Sequence, residues 1–172
     1  MTILKFGWNE IRSRQFEPYA KQGLIPARVT AVFSWQYEII SSLGKGSGEM
    51  TGKLRYDALY AAKRPAVGDW VAARPINDSH CLIHAVLPRT SCLQRQKVDG
   101  DVEAQVVASN VDVCFIVQAL QGDFNLPRLD RYIAFAASAQ VAPVIVLTKA
   151  DLVDEAEELR AQVRMTDRKS VV

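Results

Sequence analysis

Short β-rich runs separated by turn residues fill the chain from Ala27 to about Leu87. The runs are ARVTAVF, QYEII, KLRY, GDWVAA and CLIHAVL, and a glycine cluster separates the second run from the third: Gly44, Gly46, Gly48 and Gly52. Valine, isoleucine, tyrosine and tryptophan, which favour strands, are frequent in them. Because five such short strands would leave long edges unpaired in an open sheet, they predict a small closed or nearly closed barrel. The glycine cluster is predicted to be a hairpin loop of this barrel.

The pattern changes after Pro88. Residues 89–103 are polar and charged, which predicts a linker, and residues 111–120 (VDVCFIVQAL) form a nearly continuous apolar run. Such runs are typical of strands buried on both faces of a parallel sheet. A helix capped by Asn125, a second buried strand (VIVL, 144–147) and another helix follow. This order predicts a β-α-β-α unit with a right-handed crossover.

Three segments follow from these patterns. Residues 1–25 carry spaced apolar side chains among charged ones and are predicted to be a helical extension. Residues 26–103 are predicted to hold the barrel and the linker. Residues 104–172 are predicted to hold the α/β segment.

The composition excludes several classes of protein. A chain of 172 residues that is 49% hydrophobic and 23% charged fits a folded globular protein rather than a disordered or fibrous one. It contains no run of eighteen apolar residues, and its N-terminus lacks the pattern of a signal peptide. Cys81, Cys92 and Cys114 form no CxxC pair, which favours reduced thiols and a cytoplasmic protein away from membranes. Residues 1–110 hold 14 basic and 10 acidic side chains, a weak indication of a polyanionic partner.

The residues that follow VIVL carry the clearest chemical signal. Ligands of α/β sheets bind beyond the carboxyl ends of the strands, where Thr148, Lys149 and Asp151 stand here. A carboxylate at that place can accept two hydrogen bonds from guanine, at N1–H and at the exocyclic amine, whereas adenine would leave it unpaired. The lysine stem can cover the base plane, and the threonine hydroxyl can anchor the loop. The alternative is that Asp151 only caps the next helix.

Several segments together resemble the RsgA family, the ribosome small-subunit-dependent GTPases with a circularly permuted GTPase domain. The resemblance runs from about Ala27 to Leu152. It rests on PAVGDWV (65–71), VLPRTSCLQRQ (86–96), QVVASNVDVCFIV (105–117), FNLPRLDRYIAFA (124–136) and PVIVLTKADL (143–152). The match departs from the family's NKxD pattern at Thr148, where threonine replaces asparagine.

The resemblance implies a five-stranded OB-like barrel followed by the start of a circularly permuted P-loop-type GTPase domain. It assigns guanine recognition to Thr148, Lys149 and Asp151. It also implies GTP or GDP with Mg²⁺ as cofactors, zinc in the family's C-terminal domain, and the small ribosomal subunit with its rRNA as partners. A cytoplasmic monomer is expected.

Two motifs of a complete GTPase are missing from the sequence. Neither Gly44-Lys45 nor Gly52-Lys53 completes the G-x-x-x-x-G-K-[ST] pattern that cradles phosphates, and no aspartate is followed three residues later by glycine. The Cys/His cluster of the family's zinc domain is also missing. We therefore expect an N-terminal portion of such a GTPase that does not hydrolyse GTP alone.

An OB-like barrel can bind oligonucleotides on one face and through its loops. The candidate RNA-binding cations are Lys45, Lys53, Arg55, Arg89, Arg95 and Lys97, with Tyr37, Tyr56 and Trp70 as candidate stacking rings. The alternative is that these rings belong to the core and the cations are only solvated. His80 and His84 are expected to be structural. Two other functions remain open, a non-enzymatic RNA- or ribosome-binding module and a truncated α/β domain without a ligand.

Overall fold

The computed structural model describes residues 3–58, 63–96 and 104–166. The chain divides into two compact units, Met1–Asn110 and Val111–Val172. None of the described helices has the length and apolar character needed to cross a membrane.

Helices begin the first unit and strands dominate the rest of it. A 3-10 helix (Ile3–Phe6) is followed by α1 (Glu10–Ala20), β1 (Ile25–Phe33), β2 (Gln36–Ser41), β3 (Gly44–Met50), α2 (Gly52–Asp57), β4 (Trp70–Pro75), β5 (His80–Val86), β6 (Cys92–Gln96) and β7 (Ala104–Ser109). The helices predicted at the N-terminus are confirmed.

Five of these strands close into a barrel in the order β1-β2-β3-β5-β4, with β4 pairing back to β1. All neighbours are antiparallel except β3 and β5, which run parallel. Buried side chains from every strand fill the interior, among them Val29, Ile39, Met50, Val71 and Ile83. The predicted five-stranded barrel is confirmed.

One of the five strands differs from the prediction. The glycine-rich segment expected to be a loop is β3, whereas KLRY, expected to be a strand, lies in α2. Glycine is needed in β3 because a Cβ at Gly46 would lie 2.6 Å from the backbone oxygen of Ser79. Thr51 begins α2 as an N-cap, its hydroxyl accepting a hydrogen bond from the Leu54 amide at 3.2 Å. Close backbone packing therefore requires glycine within strand β3. In KLRY, the helix cap outweighs the strand propensity of the residues.

The N-terminal helix packs on the outside of the barrel. The ring of Trp8 meets the buried Trp70 edge to face, with centroids 4.8 Å apart. Arg12 of α1 is 3% exposed. Its guanidinium donates to Asn110 Oδ1 at 2.7 Å and to Thr90 Oγ1 at 3.0 Å. The helix is thus attached by aromatic packing and by a buried arginine.

β6 and β7 form a separate antiparallel pair within the first unit, with Cys92 opposite Ser109. The segment expected to be a linker therefore contains a strand. The division after Asn110 also differs from the predicted boundary at residue 104, because β7 pairs with β6. Residues 97–103 lie outside the described part of the chain.

The second unit follows the predicted β-α-β-α order. It contains β8 (Val113–Ala119), α3 (Leu126–Ser138), β9 (Ala142–Thr148), a 3-10 helix (Ala150–Leu152) and α4 (Ala156–Thr166), with β8 and β9 parallel. Ile116 and Ile145 pack against Leu129 of α3 and Val163 of α4. Alternate residues of β8 are exposed: Val113, Phe115 and Val117, at 45%, 68% and 64%. One face of this sheet is therefore buried and the other is apolar but exposed, so the prediction that residues 111–120 are buried on both faces is wrong.

Candidate nucleotide-recognition loop and basic surface

The loop after β9 holds the three residues predicted to recognise guanine. The carbonyl oxygen of Thr148 accepts a hydrogen bond from the Leu120 amide at 2.9 Å, which ties the ends of both strands together. Lys149 then adopts the left-handed conformation, with φ at +57°. Its carbonyl accepts from the Leu152 amide at 3.2 Å and closes a 3-10 turn. The chain therefore bends sharply at the carboxyl edge of the sheet.

This bend presents two charged side chains to solvent. Lys149 and Asp151 are both exposed, whereas Thr148 is half-buried. Asp151 stands in the middle of the 3-10 helix, and α4 begins only at Ala156. The position of Asp151 is thus not that of an N-cap for α4. A carboxylate and an ammonium, two residues apart in the chain, are therefore exposed at this edge.

Polar groups also gather where β8 ends. Gln118 is 6% exposed and donates from Nε2 to the Asp123 carbonyl at 2.8 Å, while its Oε1 is buried without a partner. Arg128 holds the Asp123 carboxylate with two hydrogen bonds of 2.7 and 2.8 Å. These bonds and the arginine charge lower the pKa of Asp123. Asn125 caps α3, its Oδ1 accepting from the Arg128 amide at 2.9 Å, as predicted.

Within the described ranges, no three His, Cys, Asp or Glu side chains are close enough to share a metal ion. Neither the Mg²⁺ nor the zinc that the family resemblance implies has a protein ligand cluster in this part of the chain.

The structure places the predicted RNA-binding cations on several elements of the barrel unit. Lys45 lies on β3, Lys53 and Arg55 lie on α2, and Arg95 lies on β6. All four side chains are exposed. Lys97 lies outside the described residues.

Arg89 differs from these four because its guanidinium is engaged inside the protein. It donates to both carboxylate oxygens of Asp69, at 2.8 and 2.7 Å, and to the Arg64 carbonyl at 2.8 Å. The Asp69 side chain is fully buried and that of Arg89 is 16% exposed. Burial alone would lower the pKa of Arg89, but the bonds and charge of Asp69 raise it above its ordinary value. The structure thus gives Arg89 a role in holding the barrel to the segment that follows it.

The candidate stacking rings likewise include both buried and exposed residues. Trp70 and Tyr37 are core residues, 1% and 2% exposed, whereas Tyr56 is 73% exposed. A further ring, which the sequence pattern did not single out, is Trp35, 47% exposed on the turn between β1 and β2. The guanidiniums of Arg55 and Arg64 lie 5.1 and 4.8 Å from the centroid of its ring. The sequence signal that could have identified it is its place beside Ser34, between the strand-like runs ARVTAVF and QYEII.

Comparisons with known proteins agree with this architecture. The family of the RsgA GTPase matches residues 86–171. The small ribosomal subunit biogenesis GTPase RsgA of Opitutus terrae is 38% identical over 182 residues, covering 100% of this chain and 49% of that protein. The small ribosomal subunit biogenesis GTPase RsgA 2 of Lactiplantibacillus plantarum is 39% identical over 162 residues, covering 94% and 46%. The chain thus spans about half the length of the curated relatives it matches.

Solved structures also share the fold. YloQ, described as a circularly permuted GTPase, superposes with a TM-score of 0.62 at 20% identity, covering 86% of this chain and 50% of its own. YjeQ from Thermotoga maritima gives 0.63 at 21% identity, covering 87% and 51%. The predicted fold, a barrel followed by the start of a circularly permuted GTPase domain, is confirmed. Since the family match spans residues 86–171, half of the chain, the chain belongs to the RsgA GTPase family.

Proposed function

We propose that the loop after β9 recognises the guanine base of GTP or GDP. The proposal rests above all on the position of Asp151, an exposed carboxylate on a 3-10 turn at the carboxyl edge of a parallel sheet. There it can accept the N1–H and the exocyclic amine of guanine together. Lys149 would lay its methylene stem along the base, and Thr148 would hold the start of the loop.

Nucleotide titrations of the 172-residue chain test this assignment. We expect weak binding of GDP and weaker binding of ADP, since the sequence lacks a phosphate-binding pattern. Asp151→Asn should reduce GDP binding and favour xanthosine diphosphate, because an amide can donate to the xanthine 2-carbonyl whereas a carboxylate cannot. Asp154→Asn, at an exposed aspartate nearby, is the matched control. Equal affinity for GDP and ADP in the wild type, or an Asp151→Asn variant that behaves like the control, contradicts the assignment.

In the whole protein, we propose GTP hydrolysis coupled to biogenesis of the small ribosomal subunit in the cytoplasm. The names of the relatives support this role. Mg²⁺ would bind with the nucleotide phosphates, beyond the residues that this chain supplies. The chain alone should release no phosphate from GTP above the buffer rate. Turnover that Asp151→Ala abolishes would contradict this expectation.

The uncovered face of the β8–β9 sheet supports the proposal that the second unit is part of a larger domain. Phe115 and Val117 expose more than 60% of their surface there. Monomeric proteins rarely leave adjoining large apolar side chains in water. We propose that further polypeptide covers this face in a protein as long as the curated relatives, and that such a protein is a monomer.

Binding of ribosomal RNA by the barrel is proposed as the second activity. The exposed side chains of Lys45, Lys53, Arg55 and Arg95 support it, because phosphate recognition needs accessible cations. Lys97 remains a candidate, and Arg89 is assigned a structural role by its ion pair with the buried Asp69. A non-enzymatic RNA-binding module would share this surface, and guanine-specific nucleotide binding distinguishes the two.

A further inference from the structure

We infer that the surface around Trp35 binds an unstacked nucleotide of single-stranded RNA. The inference rests on the proposed RNA-binding role of the barrel and gives that role a defined site. The site consists of Trp35, Arg55 and Arg64 with the cavity beside them, and it is named the Trp35 site below.

Trp35 is an unusual residue to leave in solvent. It lies on the turn between β1 and β2, where Ser34 adopts a φ of +52°, and packing of the barrel core does not need it. Two guanidiniums stack near its ring, from Arg55 of α2 and from Arg64. Cation–π contacts order long arginine side chains that would otherwise move freely. Trp35 therefore fixes two positive charges beside an aromatic surface.

A cavity of about 570 Å³ adjoins this cluster, a size suited to a small ligand. Two arginines line it, Arg64 and Arg95, together with Tyr37, Ser34 and Gln105. The remaining walls are apolar, and no Asp or Glu is found among the described residues that line it. Burial raises the pKa of Tyr37, and the charges of Arg64 and Arg55 act against that rise. Because Arg64 lines the cavity and also lies over the Trp35 ring, the cavity adjoins the positive charge of the cluster.

Cations around a partly apolar cavity suit one nucleotide better than they suit a duplex. Proteins that bind single strands combine arginines on the phosphates with aromatic rings on the bases. Gln105 and Ser34 offer hydrogen-bonding groups for a base edge, and Arg95 and Arg64 offer donors for a phosphate. A base within a duplex is stacked on both faces and cannot enter such a cavity. The Trp35 site should therefore distinguish single strands from duplexes.

The test uses a fluorescein-labelled 12-nucleotide RNA of mixed sequence, as a single strand and annealed to its complement. Fluorescence anisotropy with the 172-residue chain measures both affinities. We expect Trp35→Leu to weaken single-strand binding at least about fivefold, the lower end of what one stacked base contributes, and to leave duplex binding unchanged. Trp35→Phe should retain most of the affinity, and Arg64→Gln should resemble Trp35→Leu. Arg14→Gln, at an exposed arginine on α1, is the control for loss of one positive charge.

Two further readouts separate the site from the broader RNA-binding role. Single-stranded RNA should quench the fluorescence of the wild type but not that of Trp35→Phe, since Trp8 and Trp70 lie in the packed cluster under α1. Unchanged thermal midpoints confirm that the variants fold. If Lys45→Glu with Lys53→Glu weakens RNA binding while Trp35→Leu and Arg64→Gln bind both RNAs as the wild type does, the Trp35 site is refuted and the RNA-binding role stands.

Two other results would also refute the proposed nucleotide site. Equal losses of single-strand and duplex affinity in Trp35→Leu would refute an unstacked nucleotide. A wild-type chain that binds neither RNA at low salt refutes the RNA-binding role together with the site. The exposed tryptophan would then be better explained by a protein partner.

Discussion

Replacing Arg89 with methionine should destabilise the first unit, because it leaves a buried carboxylate without its cation. Asp69 is fully buried, and Arg89 gives it two hydrogen bonds. After the substitution Asp69 would keep only two described donors, the Ala66 amide at 2.8 Å and the Ser109 hydroxyl at 2.5 Å. Methionine fills a similar volume, so the loss of charge dominates.

The expected loss in the free energy of unfolding follows from the full burial of Asp69. Removing one partner of a buried ion pair costs about 3–5 kcal/mol. The two donors that remain on Asp69 place the expected loss near the lower end, at about 3 kcal/mol. That is a large share of the roughly 5–15 kcal/mol by which a domain is stable. Asp69→Asn combined with Arg89→Met should recover part of the loss, because a neutral amide leaves no buried charge.

Urea unfolding followed by tryptophan fluorescence measures the effect on the first unit alone. All three tryptophans, Trp8, Trp35 and Trp70, lie in that unit. Arg14→Gln, which removes an exposed ion pair with Glu10, should change the midpoint little. A loss below about 1 kcal/mol in Arg89→Met, or a double variant no more stable than it, would refute the reasoning.

Two further predictions concern the barrel. Gly46→Ala should destabilise the first unit by about 1–3 kcal/mol, since the added Cβ would lie 2.6 Å from the Ser79 oxygen. Gly52→Ala is the control, because open space surrounds that position, and it should not destabilise the unit. The urea unfolding midpoints of the two variants test this difference. Burial, and secondarily Arg74, lowers the pKa of His84 in the folded protein. The unfolded chain therefore takes up more protons, and stability should fall as pH drops below about 6.5. Thermal midpoints at pH 7.5 and 5.5 should differ less in His84→Gln than in the wild type, and an equal difference would contradict this assignment.

Much of the fold could be predicted because local patterns and global packing agree. The apolar runs around Ile116 and Ile145 form parallel strands, although one face of β8 is exposed rather than buried, and the Asn125 cap begins α3. The pattern failed at β3, where Gly46 closely approaches Ser79, the residue before β5, which is distant in sequence. Propensity alone cannot detect such a contact, because glycine is also typical of loops.

The candidate sites could be predicted in part for a similar reason. Thr148, Lys149 and Asp151 lie within one stretch of four residues, so their place at a strand end follows from the sequence. Burial, however, depends on the whole fold. Nothing local to Arg89 shows that it faces the buried Asp69.

The hydrogen bonds of Asn110 have a consequence for the order in which the protein can fold during synthesis. Asn110 is the last residue of the first unit, yet its side chain binds Arg12 and Thr90, and its backbone carbonyl accepts from Arg28. A nascent chain that has not yet released residue 110 from the ribosome lacks one of the acceptors of Arg12, although Pro88 and Thr90 can already bind it. Domains generally fold as units. The N-terminal helix, although made first, should therefore complete its attachment only after Asn110 emerges.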